Sequence, residues 1–301
     1  FGQKLAIWLT AFSTALLCVQ GAIWLGALNV SGARQLAATG SLSGAILGGL
    51  IFGVGMVLAR GCVSRLLVLS SSGNLRAIIT GLVVTLTAQA SLRGVLAPAR
   101  ENLAALWTIP GGAARSVAMP ETLLLALSAT ALAAAVWLGL KRGAGVGTLI
   151  AASGVGLAVF AGWQATWMLG NASFEIVAIQ SVTFTGPSTD TLMALVNARA
   201  IEPGFGVGLV PGVFLGAMVA AYLKGEARIQ RFTSDTPMER YLIGGCLMGF
   251  GSMLAGGCAV GAGMSGGAIL AITAWIAVFC MWIGAMATHL VLSGGARAAT
   301  A

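Results

Sequence analysis

Two stretches of this chain end in the same way, and each end carries a thiol. Residues 48–62 read GGLIFGVGMVLARGC, and residues 244–258 read GGCLMGFGSMLAGGC. At an offset of 196 residues, eight of the 15 aligned positions are identical, closing on Gly61/Gly257 and Cys62/Cys258. A thiol can donate a weak S–H hydrogen bond, and a thiolate can act as nucleophile or metal ligand. Metal binding is the poorest of these here. His289 is the single histidine, and two cysteines without histidine or a nearby carboxylate make a poor zinc site. We therefore expect no metal site, no cofactor and no enzyme chemistry.

The residues around the thiols indicate how they are held. Gly49 and Gly53 are four apart, as are Gly245 and Gly249, a spacing that lets helix backbones approach closely in a membrane. Each helix then runs into Gly-Cys, where glycine lets the backbone leave the helix. Small residues follow: Val63 and Ser64 in one copy, Ala259 to Gly263 in the other. Irregular backbone at membrane depth is tolerated only inside protein or along a wet cavity. Short apolar segments broken at glycine, in corresponding places of two halves, point to a binding path. A disulfide between Cys62 and Cys258 would lock two breaks that such a path needs apart. Cys18, Cys246 and Cys280 fall inside predicted helices and are read as packing residues.

A third cluster runs through residues 180–192, QSVTFTGPSTDTL. Hydroxyls gather there, followed by Gly186-Pro187 and an acid. Proline suits a first helical turn and an acid suits the helix dipole, so Pro187 is expected to open a helix. The free N–H groups at such a start can bind an anion. Thr185, Gly186, Pro187 and Ser188 join the candidate path on that ground, with an ordinary capped surface helix as the competing reading. Charge is lopsided around the thiols. Arg60 and Arg65 flank Cys62, whereas Gly256 and Gly261 hold the matching places around Cys258. One mouth is thus more positive, which would draw an anion; the alternative is that these arginines snorkel to an interface. No intramembrane acid is clearly placed as a proton relay, although Glu175 and Asp190 merit watching.

The elements that must position these groups follow from composition. Of 301 residues, 8% are charged and 58% hydrophobic, with 44 glycines besides. A soluble domain needs a polar surface that 24 charged residues cannot supply. A disordered chain is excluded by the same numbers. Apolar runs at 5–28, 41–58, 75–92, 122–140, 145–167, 207–222, 241–254 and 269–292 are long enough to read as spanning helices. No alternating ten-residue pattern supports a transmembrane barrel. The net charge of +8 is spread singly along the chain, which argues against nucleic acid and for cytoplasmic loops. Trp8, Trp24, Trp107, Trp137 and Trp167 fall near span ends, as in an interfacial belt. No Gly-Lys-Ser/Thr phosphate loop occurs, so an ATP-driven pump is not indicated.

The fold class expected is all-α: a polytopic integral membrane protein with a pseudo-twofold internal repeat and re-entrant half-helices. It forms one transmembrane domain, 1–301, with repeat halves at about 1–118 and 170–294 and linking spans at about 119–169. The offset carries Gly186 to a place before Phe1. The partner loop of the 180–192 cluster is therefore expected upstream of residue 1.

These residues carry a family resemblance. Ala59 to Arg65 (ARGCVSR) and Gly249 to Cys258 (GFGSMLAGGC) resemble the paired signatures of YeeE/YedE-type membrane proteins, and Thr185 to Ser188 resembles a half-helix loop of that family. The resemblance spans most of the chain. It implies an hourglass of helices with re-entrant pieces, in which central cysteines pass a sulfur anion along by S–H contacts. Carried over, Cys62 and Cys258 are the central thiols, with Gly61, Gly257 and Ser64 beside them. A third pathway cysteine of thiosulfate transporters has no match here. The implied function is uptake of thiosulfate or a related sulfur anion through the bacterial inner membrane, with membrane lipid and a cytoplasmic sulfurtransferase of the TusA type as partners. Two alternatives stay open beside it: a membrane sulfur-relay component that forms a Cys persulfide, and a selenium-compound transporter. A structural subunit of a larger complex is a third.

Overall fold

Where lipid surrounds a chain, its backbone N–H and C=O groups must be satisfied within the chain, and helices do this locally. The computed structural model describes residues 2–117, 119–174, 177–197, 204–231 and 237–298, which are predominantly α-helical. The helices are α1 (Gly2–Trp24), α2 (Arg34–Ala37), α3 (Leu42–Leu58), α4 (Val63–Ser71), α5 (Leu75–Arg93) and α6 (Ala97–Ala105). They continue as α7 (Glu121–Lys141), α8 (Val146–Ala172), α9 (Thr185–Asn197), α10 (Phe205–Leu223), α11 (Met238–Ala255) and α12 (Ile272–Ala298). One short strand pair, Gly40–Ser41 with Thr108–Ile109, accompanies them.

Among the described residues, seven segments are long and apolar enough to cross a membrane: Gly2–Trp24, Leu42–Ser71, Leu75–Arg93, Glu121–Lys141, Val146–Ala172, Phe205–Leu223 and Ile272–Ser293. Eight were expected. The run at 241–254 does form a helix, α11, but its 18 residues include Glu239, Arg240 and four glycines, which dilute its apolar content. It packs against α3 and α5 through its glycine faces, while Ile243 and Cys246 on its remaining side stay exposed. By contrast α10 leaves Leu215, Met218, Val219 and Tyr222 exposed, the pattern of a lipid-facing helix.

The chain forms two compact units. The first gathers Phe1–Gly40, Ile109–Val182 and Gly261–Trp275. Here α1 packs on α7 and α8. Gly156 of α8 makes this approach possible, because a Cβ there would stand 2.5 Å from the carbonyl oxygen of Ala11. Val159 and Trp163 on the same helix are buried beside it. Arg115 is buried in this unit. It donates to the carbonyls of Ala38 at 2.7 Å and Arg34 at 3.3 Å, and to the Thr273 hydroxyl at 2.6 Å. Burial, and then the neighbouring Arg34 charge, push its guanidinium below the usual range.

The second unit gathers Ser41–Thr108, Thr183–Val260 and Ile276–Ala301. Its centre is α3 and α11, which lie antiparallel and backbone to backbone, with α5 against α11. Ser41 starts α3 by accepting from the Gly44 amide at 2.8 Å, and Asn74 starts α5 by accepting from Ala77 at 3.0 Å. The glycines meet reciprocally. A Cβ on Gly48 would stand 2.6 Å from the carbonyl oxygen of Gly251, and one on Gly251 would stand 2.8 Å from that of Gly48. Gly55 and Gly244 face each other in the same way, at 2.7 and 2.8 Å. The other spaced pair turns outward: Gly49 abuts Ala277 and Cys280 of α12, and Gly245 abuts Thr80 and Val83 of α5. Any side chain at these places would force the helices apart.

Candidate functional site

Both thiols stand just past a helix that ends in a left-handed turn. Helix α3 closes with Arg60 at φ 55°, while the amides of Arg60 and Gly61 donate back to Val57 at 3.2 Å and Met56 at 3.0 Å. That pairing is a Schellman termination, which normally places glycine in the left-handed position. Helix α11 closes with Gly256 at φ 79°, and Gly257 donates to the Ser252 carbonyl at 2.9 Å. In each case the cysteine comes two residues after the left-handed residue. The turn therefore redirects the chain and delivers Cys62 and Cys258 outside the helices that precede them.

Cys62 then caps the next helix. Its backbone is extended, at φ −81° and ψ 172°, and it occupies the N-cap of α4. The first-turn amides of a helix have no carbonyl of their own to meet, so the Val63–Arg65 turn presents donors beside the thiol. The Cys62 sulfur lies 3.1 Å from the Ser64 hydroxyl, close enough for either to donate. Cys62 is half-buried, and the Arg65 stem lies across Gly61, where an added Cβ would come within 3.0 Å of Arg65 Cδ. The cationic group of Arg65 is thereby kept near the turn while its side chain is exposed.

Cys258 is buried. Its sulfur lies 3.7 Å from the Thr183 hydroxyl, within hydrogen-bond range for sulfur. Thr183 precedes α9, which begins at Thr185, two residues before the expected opening at Pro187. Pro187 sits inside the first turn, where a missing N–H costs nothing. Asp190 falls in the second turn and is exposed, too far along to act as a first-turn acid. The Thr185 carbonyl accepts from the Thr189 hydroxyl at 2.8 Å, whereas its own Oγ1 is buried with no hydrogen-bond partner among the described residues. A buried hydroxyl left unpaired is costly, and such an atom commonly marks a place where something else binds. Gly186 has open space beside it, and Pro187 is buried against Gly206 of α10. Ser188 donates its amide to the Phe184 carbonyl at 2.8 Å.

The candidate residues thus form two groups in the second unit: Arg60, Gly61, Cys62, Ser64 and Arg65 at the α3–α4 break, and Gly257, Cys258 and Thr185 to Ser188 where α11 ends and α9 begins. Thr183 was missed. It stood in the hydroxyl cluster at 180–192, but one threonine among four carried no mark of its partner. None of the five cysteines forms a disulfide. Cys18, Cys246 and Cys280 lie within α1, α11 and α12. Glu175 lies outside the described residues.

Apolar helices that span a membrane, with thiols, hydroxyls and first-turn amides gathered at helix breaks, define a multi-pass α-helical membrane protein. The Sulphur transport family model matches residues 2–287, and the chain belongs to that family. Two relatives carry the name thiosulfate transporter TsuA. That of Escherichia coli (strain K12) is 33% identical over 118 residues, which are 39% of this chain and 32% of that protein. That of Spirochaeta thermophila is 28% identical over 262 residues, 81% of this chain and 76% of that protein.

Proposed function

We propose that this chain takes up thiosulfate across a bacterial inner membrane, along a path that has Cys62 and the first turn of α4 at one end of the antiparallel α3–α11 pair and Cys258 and the first turn of α9 at the other. The observation that carries the reading is the repeated delivery of a thiol two residues past a left-handed helix end, in a chain of the Sulphur transport family. The two relatives named as thiosulfate transporters support the substrate. A sulfur anion sheds water on entering a narrow path, and first-turn amides together with the Thr183, Thr185 and Ser64 hydroxyls replace part of that hydration. The thiols work as neutral S–H donors, since a thiolate would repel a dianion. The paired glycine contacts of α3 and α11 support two repeat halves, about 1–118 and 170–294, joined by spans at about 119–169.

Charge supports an orientation. Arg60, Arg76, Lys224, Arg228 and Arg240 gather at one end of the second unit, against Glu226 and Glu239; the other end carries Arg93, Arg100 and Glu101. The positive-inside tendency assigns the first of these ends to the cytoplasm. A cytoplasmic sulfurtransferase of the TusA type would receive the sulfur there.

Uptake of thiosulfate by reconstituted vesicles, measured against sulfate, tests the function. Thiosulfate flux that sulfate does not match supports it. Equal flux of both, or none, overturns it. Formation of a stable persulfide on Cys62 or Cys258 without flux would favour a sulfur-relay protein.

A further inference from the structure

The end of the second unit that carries Arg60 also holds a pocket of about 390 Å³. Arg60 from the close of α3, Arg240 from the first turn of α11 and His289 from the last turns of α12 line it, with Val57, Leu58 and Leu292 as apolar wall. Among the described residues no carboxylate lines it; Glu239 neighbours Arg240 in sequence but does not line the pocket. Three helices that start or end far apart in sequence thus bring two arginines and a histidine to the lining of one space. Guanidinium forks match oxyanions in shape, and their charge is permanent.

The backbone at Arg60 adds an independent argument. The left-handed region is disfavoured for any residue with a Cβ, and the matching position at the end of α11 is Gly256. Glycine would make the same turn without strain. Retaining arginine in a strained position is the pattern expected where the side chain has a use. At this place the use available is a permanent cation at the lining of the pocket.

We propose that Arg60, Arg240 and His289 form a binding site for a tetrahedral oxyanion, separate from the thiols. The occupant is either the transported anion at this end of its path or the phosphate of an anionic lipid headgroup, since both offer the same charged oxygens. The apolar wall accommodates the second as well as the first. The first source rests on the transport reading; the second does not.

The test uses the full chain in detergent, in a Cys62→Ser/Cys258→Ser background so that the thiols contribute nothing. Titration calorimetry with sodium sulfate and sodium thiosulfate reads free-anion binding, and native mass spectrometry reads retained phosphatidylglycerol. Arg240→Gln and Arg60→Gly are each expected to weaken one of the two anions by about tenfold, the effect of one charged hydrogen bond at an exposed site. His289→Gln should have a smaller effect in the same direction. Arg60→Gly is the decisive variant, because it should bind less while melting no lower than its parent. Loss of sulfate and thiosulfate binding assigns the transported anion; loss of lipid alone assigns the headgroup. Unchanged binding of all three in both arginine variants overturns the site. If the cysteine background still transports thiosulfate, the thiol path fails while the pocket stands or falls on its own binding data.

Discussion

Arg60 and Gly256 occupy the same left-handed backbone well, at φ 55° and 79°, each two residues before a cysteine. One position uses the residue this conformation prefers and the other does not. The strain at Arg60 is of order 1–2 kcal/mol. Arg60→Gly should therefore raise stability by about 1 kcal/mol, and Gly256→Ala should lower it by a similar amount. Thermal unfolding in detergent checks both signs. A fall in melting temperature for Arg60→Gly would show that the side chain contributes more packing than the turn costs.

The thiols carry the sharpest functional prediction. Cys62→Ser and Cys258→Ser should each reduce thiosulfate uptake by about tenfold or more, the size expected for losing a hydrogen bond to a charged group, with protein level held equal. Serine keeps a donor but places it about half an ångström closer to the backbone on a harder, more strongly hydrated atom. Ser64→Ala should cost less, because the Ser64 hydroxyl touches the Cys62 sulfur and not the chain around it. Cys18→Ala, on α1 in the other unit, serves as the mild control. Unchanged uptake in both serine variants rules out the thiol path.

The glycine contacts of α3 and α11 predict a coupling. Gly48→Ala and Gly251→Ala each insert a methyl group within 2.8 Å of the facing carbonyl, and overpacking of this kind costs about 1–3 kcal/mol. Since each residue faces the other, the first substitution opens the gap that the second then occupies. The double variant should be less destabilised than the sum of the singles, whereas Gly48→Ala with Gly156→Ala, in the other unit, should add. Unfolding midpoints of the parent, the three single variants and the two double variants measure this directly.

How far these relationships could be read from residues alone depends on their range. Long apolar runs locate spans because lipid demands continuous hydrophobicity, and the difference at α11 has two local causes: its first turn carries the exposed Glu239 and Arg240, and its glycines pack against α3 and α5. The Gly-Cys endings were legible because two similar stretches, 196 residues apart, close on the same residues. The left-handed turn at Arg60 was hidden by the residue itself, although its alignment with Gly256 was a usable signal. The start of α9 was placed late because Pro187 tolerates any site in the first turn. Arg240 and His289 gave no sign of sharing a pocket, since only the packing of α11 and α12 brings residues so distant in sequence together. Thr183 was invisible for a similar reason: its partner Cys258 is 75 residues away.

Thr185 separates function from stability most cleanly. Its hydroxyl is buried and has no partner among the described residues, so Thr185→Val removes an unpaired polar atom while keeping nearly the same shape. The variant should be as stable as the parent, or more stable by up to about 1 kcal/mol. If that hydroxyl meets the passing anion, uptake should nonetheless fall several-fold. Thr183→Val should also lower uptake, but with a stability cost, because its hydroxyl already contacts the Cys258 sulfur. Uptake and melting temperature measured on the same preparations give the two effects their signs. A Thr185→Val protein that is more stable and transports at the parental rate would remove the start of α9 from the path.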